Sequence, residues 1–166
     1  MISPTELMKK LKFIEQEIIS VHEEDEHMGY IPAEKTQDEG GNIKLCPLYK
    51  SNYDFGANRS KVKELQAEEI KIKKVLADFN YKTKVIGYDF TISEGLIKLA
   101  QLKSEVRTIS NMVNKGQYVK DSYRDNYAVA AYDLKEAKEE LKKAQKELSA
   151  LQVALDKTNL TSSIDY

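Results

Sequence analysis

The last third of the chain carries a regular pattern of apolar residues. From Tyr127 to Leu155 the apolar positions are separated alternately by three and four residues, and leucine alternates with alanine along most of them. The intervening positions are mainly lysine and glutamate, which form helices well and suit a solvent-exposed face. This is the a/d spacing of a coiled coil. The pattern predicts one long helix over about residues 124–158, with its apolar stripe packed against another helix.

Three shorter stretches also have helical apolar spacing. Near the amino terminus, Ser3 can cap a helix, Pro4 suits its first position, and Glu6 can close a capping box. Thr91 and Glu94 form a second capping-box pattern. The apolar residues after these two signals, and those of a third stretch between them, predict helices over about residues 4–24, 59–79 and 92–114.

Helical spacing disappears between the first two helices. Residues 27–57 are rich in glycine, proline and tyrosine, and Gly40-Gly41 stands between a polar run and the strand-like segment Ile43-Lys44-Leu45. Glycine pairs in this setting favour tight hairpin turns. The stretch therefore predicts a loop or β-hairpin insertion over about residues 27–57.

The second and fourth predicted helices end in a similar way. Asn80 and Asn159 each resemble a left-handed helix stop, and each is followed by a short strand-like segment that ends near Ile86 or Ile164. Two interpretations remain open. The two short segments pair with one another, or the chain is a duplicated helical hairpin in which each half is helix, loop, helix and terminal strand.

These elements predict a mainly α protein: an antiparallel helical bundle or coiled-coil hairpins with a small β element, in a single helical domain over residues 1–166. A helix of about thirty residues is near 45 Å long at about 1.5 Å per residue, which is longer than one of the shorter helices can cover. A second copy of the chain is the simplest way to cover the rest of its apolar stripe. The sequence therefore predicts a homo-oligomer.

Composition excludes several classes of partner. Charged residues make up 32% of the chain, yet acids and bases nearly cancel to a net charge of −1. This balance carries no nucleic-acid signature. The amino terminus lacks the features of a signal peptide, and no apolar run approaches the ~20 residues of a membrane span. We expect a cytoplasmic protein without membrane partners, and the single cysteine, Cys46, fits a reducing compartment.

Several short segments resemble the septicolysin-like family of small helical bacterial proteins, whose activity is poorly defined. The segments that carry the resemblance are Leu7-Met8-Lys9-Lys10, Phe79-Asn80 with Thr83-Lys84-Val85, Tyr88 to Leu96, and Leu151-Gln152 through Asn159-Leu160-Thr161. The resemblance implies an all-α, oligomeric protein with a small β element, and it supplies no catalytic residues. The tyrosine-rich segment from Gly29 to Phe55 departs from the family pattern. The lytic role that the family name suggests fits poorly with a chain lacking a membrane-insertion segment.

The residues offer little for catalysis or for metal binding. His22 and His27 flank four carboxylates, but a spacing of five residues places two helical side chains ~140° apart, so we interpret this run as a solvated acidic helix end. We find no phosphate-binding loop, nucleophile elbow or CxxC pair. The sequence thus predicts a protein that is not an enzyme and uses no cofactor or metal.

The most informative cluster is aromatic and basic. Tyrosine and arginine in loops can stack on flat rings and bind phosphate or carboxylate, they can anchor protein interfaces, or they can simply pack over helix ends. We predict a small anionic or nucleotide-like ligand bound by an oligomeric, non-enzymatic protein; the alternative is a coiled-coil protein–protein interaction scaffold without a ligand. The predicted ligand-binding residues are Tyr49, Tyr53, Arg59, Lys120, Tyr123, Arg124 and Tyr127.

Overall fold

The computed structural model describes residues 1–120 and 126–166, and within them the chain is mainly helical. Two pairs of helices are each joined by a β-hairpin, so the predicted mainly α class with a small β element is confirmed. The elements in chain order are α1 (Pro4–Met28), β1 (Ala33–Gln37), β2 (Ile43–Pro47), α2 (Phe55–Lys82), α3 (Ile92–Lys115), β3 (Tyr118–Lys120), β4 (Tyr127–Val129) and α4 (Leu134–Thr161).

The chain divides into two compact units, and we describe each by itself. One unit contains residues 5–76, and the other contains residues 1–4 with 77–166. The single helical domain over residues 1–166 stays a prediction.

In the unit of residues 5–76, α1 and α2 flank the first hairpin. Ion pairs connect the helices, with Glu17 Oε1 2.8 Å from Lys61 Nζ and Glu15 Oε1 3.1 Å from Lys73 Nζ. Leu7, Ile14 and Val21 recur every seventh residue on the buried face of α1, as the heptad spacing predicts.

The first hairpin forms where the glycine pair predicts it. Strands β1 and β2 are antiparallel, with Lys35 opposite Leu45. The turn is organised by Asp38, whose Oδ1 accepts hydrogen bonds from the backbone N–H groups of Gly40 (3.0 Å) and Asn42 (2.8 Å). Gly41 adopts a positive φ of 80°, a conformation that glycine reaches without strain.

In the other unit, α3 and α4 run antiparallel. At one end Ile92 and Leu99 of α3 pack with Leu151 and Leu155 of α4 in a buried cluster that also contains Val85. The predicted capping box of α3 is confirmed, since the Thr91 side chain accepts from Glu94 N and the Glu94 side chain accepts from Thr91 N. The leucine-rich seam of α4 is therefore the face that packs against its neighbouring helix.

The predicted start of the fourth helix at about residue 124 is wrong. Residues Tyr127–Val129 form strand β4, and α4 begins at Leu134. Asp133 caps this helix, because its Oδ1 accepts from the backbone N–H groups of Lys135 (2.6 Å) and Glu136 (3.1 Å). The alternation of Tyr127 with Val129 also suits a strand, so the heptad spacing there had two structural interpretations.

The predicted asparagine stops are also wrong. Asn80 and Asn159 lie inside α2 and α4, which continue to Lys82 and Thr161. The segments after these helices pair elsewhere than predicted: Lys84 forms an antiparallel bridge with Thr91, and Ile164 forms one with Ile2. Their pairing with one another is thus contradicted.

The two helix–hairpin–helix halves have the same order of elements, and one spacing relates their first helices whereas a shorter one relates their second helices. After each second helix a backbone N–H is donated to the residue ahead of a first helix: Val85 N to Phe90 O (3.0 Å) and Ile164 N to Ile2 O (2.8 Å). This common order favours the duplicated helical hairpin of the two interpretations. At one constant spacing along the chain, Tyr53 matches Tyr132, Asp54 matches Asp133, Ile72 matches Leu151, Leu76 matches Leu155 and Val85 matches Ile164.

Candidate functional site

A polar cluster connects the end of α1 to the start of α2, the two helices that the first hairpin joins. The carboxylate of Asp25 accepts a hydrogen bond from the Tyr53 hydroxyl (2.6 Å) and one from the Asn58 side-chain amide (3.0 Å). The guanidinium of Arg59 forms an ion pair with the other oxygen of Asp25. Only 17% of the Asp25 side chain is exposed, so these partners replace water that the carboxylate loses. We call these four residues the Asp25 cluster.

The helix cap at the start of α2 places the three partners of Asp25 on the same side of that helix. Asp54 caps α2 by accepting from Ala57 N (2.9 Å), which puts Tyr53 just ahead of the helix and Asn58 and Arg59 in its first turns. The guanidinium carbon of Arg59 also lies 5.4 Å from the centroid of the Phe55 ring, within the range of a cation–π contact. The start of α2 therefore presents three donors to the last full turn of α1.

The Asp25 cluster is suited to holding the hairpin base rather than to binding an anion. Tyr53 and Arg59 were two of the predicted ligand-binding residues, and the structure brings them together on Asp25. The Asp25 charge neutralises the guanidinium that an anionic ligand would need. Asp25 was missed by the sequence interpretation, which treated its acidic run as solvated.

The remaining predicted ligand-binding residues lie in separate places. Tyr49 is exposed and lines a surface hollow with Lys50. Lys120 of β3 lies opposite Tyr127 of β4 in the second hairpin. Tyr123 and Arg124 fall outside the described residues. The predicted set thus falls in both units, with Tyr49, Tyr53 and Arg59 in the unit of residues 5–76.

Each hairpin has one face rich in apolar side chains. In the first hairpin, Ile43 and Leu45 share a face and are 63% and 65% exposed, whereas Thr36 and Lys44 occupy the opposite face. In the second, Tyr118, Tyr127 and Val129 share a face and are exposed to a similar extent. We call these two surfaces the hairpin faces.

The second half repeats the tyrosine of the Asp25 cluster but not its acid. The Tyr132 hydroxyl donates to the backbone carbonyl of Met112 at 2.8 Å, so a tyrosine again connects the second helix to the end of the first. The spacing that relates Val21 to Ile109 places Val113 where the first half has Asp25. The sequence signal for this repeat is a Tyr-Asp pair followed by an apolar residue, as in Tyr53-Asp54-Phe55 and Tyr132-Asp133-Leu134.

Other chemistry is sparse in the described part of the chain. Within it, no group of three or more histidine, cysteine or carboxylate side chains is placed to hold a metal ion. Among those same residues, the helices are each too short or too polar to cross a bilayer.

Comparison with known proteins places the fold but assigns no activity. No family model and no curated protein matches the chain. A solved structure described as a functionally unknown conserved protein from Corynebacterium diphtheriae is similar, with a TM-score of 0.75 and 13% sequence identity over 99% of both chains. At this identity the likeness shows a shared fold alone. The resemblance to septicolysin-like proteins stays a prediction.

Proposed function

We propose that this protein is a non-enzymatic interaction scaffold that assembles with a second copy of itself through its hairpin faces. The observation that carries the proposal is the exposure of both apolar faces, with Leu45 at 65% and Tyr127 at 67%. Two-stranded hairpins with uncovered apolar faces are at best marginally stable in water. Covering these side chains would stabilise the strands by about 25 cal/mol for each Å² of apolar surface buried.

A second copy is the occupant because the two faces have the same design. Each is one side of a short antiparallel pair. Each presents aliphatic or aromatic side chains with a single lysine, Lys35 or Lys120, and the first face also carries Gln37. A surface of this kind can pack on its own copy around a two-fold axis, as most homo-oligomers do. The tyrosines of the second hairpin supply the aromatic area that is enriched at such interfaces.

The test is the molar mass of the full chain in solution, measured by size-exclusion chromatography with light scattering. Leu45→Thr and Tyr127→Thr remove apolar area while keeping a β-favouring residue. Their matched controls lie on the opposite faces of the same strands: Lys44→Thr and Ala128→Thr. We expect an oligomer for the wild type and both controls, and a shift toward monomer for the two face variants.

A monomeric wild type at micromolar concentration would overturn the proposal. So would face variants whose molar mass equals that of their controls. Circular dichroism of each variant separates loss of assembly from loss of helical structure.

A small anionic or nucleotide-like ligand is the second candidate, and one observation favours it. Tyr49, Lys50 and Ser51 line an open hollow with Ile31 and Pro47, which combines an aromatic ring, an ammonium group and a hydroxyl. Such a set can stack on a base and contact a phosphate.

Native mass spectrometry of protein purified from cells tests this candidate. We expect a retained small mass in the wild type that Tyr49→Ala removes and Tyr30→Ala, another exposed loop tyrosine, leaves in place. Spectra that contain only masses of the polypeptide would rule the candidate out.

A further inference from the structure

A shallow groove lies between the end of α3 and the start of α4, entirely within the unit that contains both helices. Its floor is apolar and its rim is acidic. The lining residues are Ile109, Met112 and Ala137 on the floor, with Tyr132, Asp133, Glu136 and Glu140 around it.

The corresponding place in the first half is occupied by the chain's own side chains. Asn58 stands where the second half has Ala137, and it reaches Asp25. Lys61 stands where the second half has Glu140, and it pairs with Glu17 at 2.8 Å. The same scaffold position therefore holds a polar, cation-containing network in one half and an uncovered floor in the other.

The charge of the groove selects the kind of partner. Asp133 is committed to capping α4. The Tyr132 hydroxyl donates a hydrogen bond to Met112 O, so the part of the tyrosine left to line the groove is its ring. Glu136 stabilises the first helical turn through the helix dipole. Glu140 lies one turn further on, and its 3.1 Å pair with the exposed Lys143 is of a kind that contributes little and exchanges readily.

We propose that this groove binds a basic amphipathic segment of another protein. An apolar side chain of that segment packs on the floor formed with Met112 and Ala137, while its arginines or lysines pair with Glu136 and Glu140. The arrangement resembles the first half, where Lys61, at the position of Glu140, provides a cation from within the chain. Grooves of this kind recognise an amphipathic helix through apolar anchors spaced by three and four residues.

The probe is a fluorescent peptide of about fifteen residues, with leucines at helical spacing and arginines between them. Fluorescence anisotropy measures its binding to the full-length protein. A control peptide carries glutamate in place of each arginine. We expect saturable binding of the basic peptide, none of the acidic one, and an affinity that falls as salt is raised.

Matched variants locate the site. Glu136→Lys and Glu140→Lys reverse charges that line the groove, whereas Glu139→Lys makes the same charge change elsewhere on α4. We expect each groove variant to weaken binding by about tenfold or more and the control by less than about twofold. Met112→Gln, which makes the floor polar, should weaken binding by about fivefold.

Two results would overturn the inference: absence of saturable binding to the wild type, or an equal effect of Glu139→Lys and the groove variants, which would indicate general electrostatic attraction. The hairpin variants separate this inference from the proposed assembly. Leu45→Thr should alter the molar mass and leave peptide binding unchanged, whereas Glu140→Lys should do the reverse.

Discussion

Replacing Asp25 with alanine should destabilise the unit of residues 5–76 more than any nearby charge removal. The substitution deletes the acceptor of two hydrogen bonds and of the Arg59 ion pair. A hydrogen bond to a charged group is worth about 1.5 kcal/mol or more when its donor is then left poorly solvated. The ion pair adds less, because 31% of the Arg59 side chain remains exposed. Together these losses amount to about 3 kcal/mol.

The assay is thermal unfolding followed by far-ultraviolet circular dichroism. For a chain of this size a loss of about 1 kcal/mol lowers Tm by about 2–4 °C, so Asp25→Ala should lower it by about 6–12 °C. Asp25→Asn keeps the shape and one acceptor but removes the charge, and we expect roughly half the shift. Glu23→Ala, an exposed acid on the same turn of α1, serves as the control and should change Tm by less than about 2 °C.

A double-mutant cycle with Tyr53→Phe tests whether the hydroxyl and the carboxylate act together. The two substitutions remove opposite ends of the 2.6 Å hydrogen bond, so their combined effect should be smaller than the sum by about 1 kcal/mol. Strict additivity, or an Asp25→Ala shift no larger than that of Glu23→Ala, would refute the assignment of the Asp25 cluster as the lock at the hairpin base.

Three further outcomes follow from the unit that contains α3 and α4. Thr158→Val should cost about 1–3 kcal/mol in urea unfolding, because the Thr158 side chain is buried and its hydroxyl accepts from Ile86 N at 3.0 Å. Gly95→Ala should destabilise by up to about 2 kcal/mol in the same assay, since a Cβ there would lie 3.2 Å from each of three side chains and overpacking outweighs the gain in helix propensity. The Thr91 backbone N–H lowers the pKa of Glu94, so the stability it contributes is complete above the pKa of the unfolded chain and is lost as pH falls through the folded pKa. Denaturation of Glu94→Gln should therefore depend less on pH in the acidic range than that of the wild type, and equal acid dependence would contradict this.

The sequence predicted correctly those elements that begin with a capping box, a proline or a glycine turn. The capping box at Thr91 and the proline at position 4 located the first residues of α3 and α1. Gly40-Gly41 located the first hairpin because positive φ at Gly41 is cheap only for glycine. Each of these signals acts over four residues or fewer, so tertiary packing has little opportunity to override it.

The start of α4 and the candidate site depended on contacts distant in sequence. The position of Tyr127 fits both a helical heptad and an alternating strand. It lies in a strand because it pairs with Lys120 of the neighbouring strand, a contact that the local pattern does not show. Asp25 could not be recognised from its neighbours, because its partners lie more than twenty-five residues away, beyond the hairpin. The structure brings Tyr53 and Arg59 together, but the tyrosine hydroxyl and the guanidinium are directed to the carboxylate of Asp25.

The same Tyr-Asp pair occurs at the start of both second helices, yet it supports a polar cluster in the first half and a groove in the second. In both halves the aspartate caps the second helix and the preceding tyrosine hydroxyl reaches the end of the first helix. What differs is the acceptor: a side-chain carboxylate at Asp25, but a backbone carbonyl at Met112. A backbone acceptor requires no further donors, so the second half has Ala137 at the position of Asn58 and needs no ion pair from Lys138, which stands at the position of Arg59. Along the groove, the start of α4 places Ala137 where the first half has Asn58 and Glu140 where it has Lys61, so apolar and acidic side chains line this space instead of the polar contacts of the first half.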